Sequence, residues 1–142
     1  MPIRPRLRWC YPIDWPQISS AVRFFRAKGR CEKCRRPHGC IVRQFADGRW
    51  HDVEAGCWRD DLGQPVDDPP WNDVRWTVAR RVILATAHLD QDPRNNSPTN
   101  LAALCGRCHL AHDRAAHRVQ RRITLRQRRA VGDLFEGPYD LL

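Results

Sequence analysis

The 142-residue chain has no apolar run near the roughly 20 residues that a bilayer-spanning helix needs, which excludes a transmembrane protein and a membrane partner. Its N-terminal arginines Arg4, Arg6 and Arg8 are interrupted by Pro2 and Pro5, and no apolar segment follows them. A secretory signal is therefore not expected, and a reducing cytoplasm is. Lysine is scarce: Lys28 and Lys33 are the only two, against 23 arginines. Methionine occurs only as Met1, and no internal repeat or low-complexity segment is present. What remains is 42% hydrophobic and 29% charged, an ordinary globular balance at a length that suits one domain. Seven cysteines in a reducing compartment are poor candidates for disulfides, and an odd number cannot all pair, so metal ligation is their leading use.

The formal charge of +9 is unevenly distributed. Residues 1–36 carry 10 basic and 2 acidic side chains, and residues 105–130 carry 8 and 1. The intervening 37–104 is acidic, as is 131–142, which has 3 acidic side chains and no basic one. Segregated arginine favours a polyanionic partner, because each guanidinium set against a phosphate releases condensed counterions.

Helical spacing of Ile18, Ala21, Val22 and Phe25 predicts a helix over 14–28, with Pro16 in its first turn and Gly29 ending it. β-Branched and apolar residues over 41–58, around Ala46-Asp47-Gly48, predict a hairpin. The Pro- and Asp-rich stretch 59–72 is expected to be an exposed loop. Residues 80–89 (RRVILATAHL) read as one buried strand and 90–100 as an irregular loop held from regular structure by Pro93 and Pro98. A short strand over 101–104 and a long arginine-rich helix over 108–130 complete the order. The acidic segment 37–80 looks like an insertion whose tryptophans, Trp50, Trp58, Trp71 and Trp76, are expected to pack.

Cys31-Glu-Lys-Cys34 and Cys105-Gly-Arg-Cys108 are two C-x2-C knuckles separated by 70 residues. Four thiolates from two such knuckles close the tetrahedral sphere of a structural zinc ion, which contributes on the order of 10 kcal/mol to folding. Cys10, Cys40 and Cys57 lack paired spacing and are expected in the core. Cys105 to His109 also matches the haem-attachment string, but that use needs export and commonly a methionine ligand. A zinc deaminase needs H-x-E upstream and Pro before the first Cys. Here His51 leads to Val53, His88 leads to Asp90, and Leu104 precedes Cys105.

His88 closes the apolar strand, Asn100 closes the irregular loop, and His109 with Asp113 falls at i, i+4 on one helix face. A strand end, a loop pin and a helix face suit one ion and one phosphate: a neutral imidazole activates water, and a cation offsets charge on the scissile group. His109 and Asp113 are the candidate holders of that cation.

From about residue 11 to 113 the sequence resembles the HNH endonucleases of the small bacterial and phage type, whose ββα-metal site is supported by zinc knuckles. The resemblance rests on Arg30-Cys31-Glu32-Lys33-Cys34, Ala87-His88-Leu89-Asp90, Asn95-Asn96, and above all the string from Asn100 to His109 (NLAALCGRCH). It implies that His88 is the general base, that Asn100 pins the loop and orients the base, and that His109 is a catalytic metal ligand. It also implies DNA as substrate, with 5′-phosphate and 3′-hydroxyl products and Mg2+, Mn2+ or another first-row ion in the site. Many members carry Asp or His immediately before the base; this chain has Ala87, which leaves Asp90 or Asp113 to complete the ion's ligands.

The expectation is therefore one zinc-stabilised α+β domain, a treble-clef-like ββα-metal unit over 81–130. The basic segment 1–36 adds an N-terminal helix and the first knuckle, 37–80 a hairpin insertion, and 131–142 an acidic tail. Arg114, Arg118, Arg121 and Arg122 are the expected DNA phosphate contacts. The rival expectation is a catalytically degenerate nucleic-acid-binding module or a phage accessory or packaging protein. Asp133-Leu134-Phe135 in the tail resembles the end of sliding-clamp-binding peptides, which would make a replication protein a partner.

Overall fold

The structure, a computed structural model, describes residues 5–130, so the acidic tail and its clamp-like tripeptide lie outside the described residues. The described chain is α+β with antiparallel sheets, and it falls into two compact units that divide between His109 and Leu110.

In the first unit, helix α1 (Trp15–Ser20) begins at Asp14, whose carbonyl accepts the Gln17 and Ile18 amides at 3.0 Å although its side chain makes no cap. The expected helix to residue 28 is divided: α1 passes into a π-helical turn, Ala21–Arg26, closed by the Ala27 amide on the Val22 carbonyl at 3.1 Å. The Arg23 guanidinium occupies the Ser19 carbonyl at 3.1 Å, which accompanies the widened turn. Lys28 and Gly29, both at positive φ, then reverse the chain toward Cys31.

The insertion is larger than the expected hairpin. β1 (Ile41–Gln44), β2 (Trp50–Asp52), β3 (Cys57–Arg59), β4 (Pro65–Val66) and β5 (Val78–Arg81) form one antiparallel sheet in the order β4-β3-β2-β1-β5. The stretch expected as loop thus supplies β4, and a 3-10 turn, Trp71–Trp76, leads into β5. Gly48 in the β1–β2 turn has φ 105°, and an added Cβ there would lie 2.6 Å from the side chains of Asp61 and Arg107. The single strand expected over 80–89 is two strands in two sheets. β5 pairs with β1, the chain breaks at Val82 and Ile83, and β6 (Leu84–His88) pairs with β7 (Leu101–Cys105) from Leu84 opposite Cys105 to His88 opposite Leu101. Val82 secures the break by exchanging backbone bonds with Gly39 and Cys40 at 2.7 and 2.8 Å.

The core gathers around the four knuckle cysteines with Val42, Trp50, Val82, Leu84, Ala87 and Leu104, while Val22, Ala27, Leu101 and Ala103 form a second cluster under Trp15 and Ile18. Trp50 and Trp58 are buried as expected; Trp71 and Trp76 are 87% and 66% exposed and pack into no core. Cys10 and Cys57 are half-buried and Cys40 is exposed, so none of the three is a fully buried core residue. Helix α2 (Gly106–Ala130) follows β7 without a break. Its residues from Leu110 onward belong to the second unit, in which Arg114, Arg118, Arg121 and Arg122 are all exposed. No described helix is long and apolar enough to cross a membrane.

Asp52, at the end of β2, is 1% exposed. Burial pushes its carboxyl upward, but the Arg59 guanidinium at 2.8 Å, the Ala55 amide and Arg30 at 3.4 Å outweigh burial and hold it below the usual carboxylate range. Stability from this cluster is therefore present above the ordinary aspartate range and lost as pH falls through the lowered value. Asp52→Asn should cost about 3 kcal/mol in urea unfolding, since it leaves the half-buried Arg59 guanidinium without its charge partner and takes from Arg30 one of its two, the other being Glu54. An unchanged midpoint would show that the pairs are not stabilising.

Candidate functional site

The first knuckle is a tight turn between Arg30 and Pro37, which bridge each other. The Cys31 amide donates to the Arg36 carbonyl at 2.9 Å and the Arg35 amide to the Cys31 carbonyl at 2.8 Å, with Arg35 at φ 65° to close the loop. The second knuckle joins the end of β7 to the first turn of α2. Between them Glu32 acts as a clamp: its amide donates to the Ala103 carbonyl at 2.9 Å and its carboxylate accepts the Ala103 amide at 2.6 Å. Arg26 ties Glu32 to the Leu101 and Pro98 carbonyls on the other side.

These contacts bring the sulfurs of Cys31, Cys34, Cys105 and Cys108 within 4.8 Å of one another, all four buried. Cys34 and Cys105 are 3.5 Å apart, and the Cys105 amide donates to the Cys31 sulfur at 3.3 Å. A zinc ion with sulfurs at about 2.3 Å sets neighbouring sulfurs ~3.8 Å apart, so the four residues fit a structural zinc ion. Thiol-to-thiol bonding divides their acidities. The bond with Cys105 holds Cys31 well below the usual thiol range, and the bond with Cys108 brings Cys105 down to about 7. Cys34 and Cys108 are pushed up, each chiefly by its bond to Cys105. Four thiolates in one buried cluster repel each other, and a divalent cation removes that penalty. A second positive group is already there: Arg36 is 1% exposed, donates to the Gly48 carbonyl at 2.7 Å and lies over the Trp50 ring. Burial would lower its pKa, but the negative charge at Cys34 and Cys105 outweighs burial and raises it.

His88, the last residue of β6, is half-buried, with its ring stacked on Trp15 at 5.0 Å and 16° and edge-on to Tyr11 at 5.7 Å. Its Nε2 lies 3.0 Å from Asn96 Oδ1. The Asn96 amide nitrogen faces the Pro93 and Arg94 carbonyls at 3.3 and 3.2 Å, which only accept, so the amide orientation is set and Oδ1 is the atom toward the imidazole. An acceptor at that position places a proton on Nε2. The residue that contacts His88 is thus Asn96, whereas the expected orienter, Asn100, bonds elsewhere. Asn100 Oδ1 accepts the Asp90 amide at 3.0 Å, and its Nδ2 donates to Asp90 Oδ1 and the Asn95 carbonyl, both at 2.8 Å. Sequence reading had one usable signal for Asn96, the paired asparagines inside a short loop, but nothing in it told the two amides apart.

Asp90 does not share a strand face with His88, because β6 ends at His88 and Asp90 lies in the turn beyond. Its carboxylate accepts from the Asp92 amide and from Asn100 and Asn95, and these bonds, in that order, hold its pKa below the usual range. Strand alternation points Ala87 the other way from His88, into the core cluster that contains the four cysteines, where it is 2% exposed. His109 is half-buried in the first turn of α2, beside Cys108. Asp113 lies one turn further along the sequence, in the second unit. Among the described residues, the four cysteines form a group of side chains close enough to share an ion.

Comparison with protein-family models, with curated proteins and with solved structures finds no match to this chain.

Cys105→Ser should remove zinc and lower the melting temperature together, because the binding energy of the metal is part of the folding energy. Elemental analysis of the purified wild-type chain should find about one zinc per molecule. Wild-type protein without zinc, or a serine variant that retains it in full, would overturn the assignment.

Proposed function

We propose that the chain is an HNH-type endonuclease that hydrolyses DNA phosphodiesters, with His88 as general base. The observation that carries this reading is the setting of His88: a strand-end imidazole whose ring plane is held by Trp15 and whose tautomer is set by Asn96. Next to it, the loop 89–100 is knitted by Asn100 and Asp90. A base needs its ring held in a constant direction, and stacking on Trp15 with the contact to Asn96 gives His88 that. In the proposed step the His88 imidazole takes a proton from water as the water oxygen forms its bond to phosphorus, and the bond from phosphorus to the 3′ oxygen breaks. The products are a 5′-phosphate and, after protonation of the leaving oxygen, a 3′-hydroxyl. Asn96 is a positioning residue in this scheme, and Asn100 acts one step further out, through the loop.

The catalytic ion belongs to the same reading through the family resemblance, with His109 and either Asp113 or Asp90 as its ligands. Both Asp90 oxygens are engaged within the loop, and Ala87 is buried in the position where many members of the family carry a ligand. These two observations favour a second reading: a zinc-stabilised module that binds nucleic acid without cutting it. Under either reading the exposed arginines of α2 contact phosphates and supply affinity without base specificity.

His88→Ala should fold as wild type and lose plasmid nicking in Mg2+ or Mn2+ by roughly 10²- to 10⁴-fold, the usual worth of a positioned base. Asn96→Ala should shift the pH profile of nicking as well as lower the rate, because the tautomer is no longer specified. Undiminished cleavage by His88→Ala would sink the mechanism. A wild-type chain that binds plasmid but never nicks it, with any divalent ion, would establish the binding module.

Replacing Arg118 and Arg122 by Gln should weaken duplex binding and make the slope of log affinity against log salt shallower by about 0.9 per lost contact. An unchanged slope would place the DNA elsewhere.

A further inference from the structure

The insertion presents a feature that hydrolysis at His88 does not use. Trp71 and Trp76, at the two ends of the 71–76 turn, are 87% and 66% exposed. Two large, flat aromatic faces are thus open on this one turn. The turn flanks an open groove of about 500 Å³ lined by Arg43, Trp71, Asn72, Val74 and Arg75. The guanidinium of Arg75 lies 4.9 Å from the Trp76 ring centroid, and Arg43 is steadied by Thr77 Oγ1 at 3.1 Å, whose own hydroxyl donates to the Val74 carbonyl.

Sheet register extends the strip. Arg43 stands opposite Ala79 and Ile41 opposite Arg81, so alternation puts Arg43, Ile41 and Arg81 on one face of the β1–β5 edge, with Val42 buried on the other. Arg43 and Arg75 join the parts: Arg43 lines the groove with Trp71 and shares the sheet face of Arg81, and Arg75 lines the groove and lies over Trp76, with Asp73 opposed to them within the turn. A lipid surface would meet a continuous apolar patch, and here guanidinium groups lie beside each ring. A duplex offers phosphates but keeps its base faces stacked. The strip matches a strand that offers both phosphates and open bases.

We propose that this strip is a docking surface for single-stranded nucleic acid, with Trp71 and Trp76 stacking on unpaired bases and Arg43, Arg75 and Arg81 against the backbone. Stacking on an aromatic side chain tolerates any sequence, because every base has a flat face, and the arginines make binding salt-dependent. The proposal is independent of cleavage: it holds whether the chain is a nuclease or a binding module.

The test uses the full zinc-loaded chain carrying His88→Ala, without added divalent ion, titrated with a 15-nucleotide oligothymidylate and with a blunt duplex of the same length. The oligonucleotide should quench tryptophan fluorescence. Trp71→Ala with Trp76→Ala should abolish most of the quench and weaken oligothymidylate binding at least about tenfold, while duplex affinity changes less than about threefold. Trp71→Phe with Trp76→Phe should retain most of the affinity, since the stacking face survives, and this pair decides the matter if the alanine pair fails to fold. Arg43→Gln and Arg81→Gln should each make the salt slope for the oligonucleotide shallower by about 0.7. The proposal is overturned if the parent does not bind oligothymidylate, if the alanine pair binds it unchanged, or if both ligands weaken equally. Competition by polyglutamate as effective as that by unlabelled oligothymidylate of equal charge would also overturn it, by reducing the strip to a charge patch. Plasmid nicking by the wild-type chain is scored separately, so failure of this surface and failure of the nuclease reading give different results.

Discussion

Four sulfurs held within 4.8 Å of one another are the constraint on which the first unit depends. They connect a turn at residue 31 to the β7–α2 junction at residue 105, and the chain between them has to leave that point and return to it. The insertion sheet, the β6–β7 hairpin and the His88 loop are all built within this closed path. Short strands of two to five residues contribute little cohesion on their own. A centre that joins both ends of the path, reinforced by Glu32 on Ala103 and by Arg26 on Glu32, lets such elements persist without a large core.

Electrostatics around this centre follows one rule, that buried charge is met by opposite charge. Arg36 lies among cysteines and Asp61, Asp52 lies between Arg59 and Arg30, and Arg107 reaches Asp61 at 2.9 Å. In the loop 89–100 amides do the holding instead. The exposed Asp90 carboxylate accepts from the Asp92 amide, Asn95 and Asn100, and the asparagines are divided between holding the loop and facing the imidazole. Asn95 and Asn100 stiffen the backbone, while Asn96 meets His88. Trp15 and Asn96 together fix the direction of the His88 ring.

The insertion behaves differently from the rest of the unit. Its inner face is ordinary, with Trp50 and Trp58 in the core, while its outer edge is aromatic and basic. β5 is an edge strand with all four side chains exposed, and Arg80 and Arg81 discourage a second strand from pairing there by chance.

Some of this was legible in the chain itself. Cysteine spacing within each knuckle is a local property, and two matched knuckles together supply the four ligands one ion takes, so the cluster that could hold a metal was legible in advance, as were the α+β class and the segregation of arginine. The tertiary structure decided whatever depends on residues far apart. The stretch 80–89 is uniformly apolar and β-branched, and nothing local marks the break at Val82 and Ile83; pairing with Cys40 and Gly39, some forty residues away, makes it. β4 is two residues long, below any periodicity, and exists only because β3 is there to bond it. Asn96 and Asn100 are chemically identical, and only the fold of their loop assigns one to the imidazole and the other to the backbone. Trp71 and Trp76 carry the same apolar signal as Trp50 and Trp58. Burial is a property of what surrounds a side chain, and composition alone does not contain it.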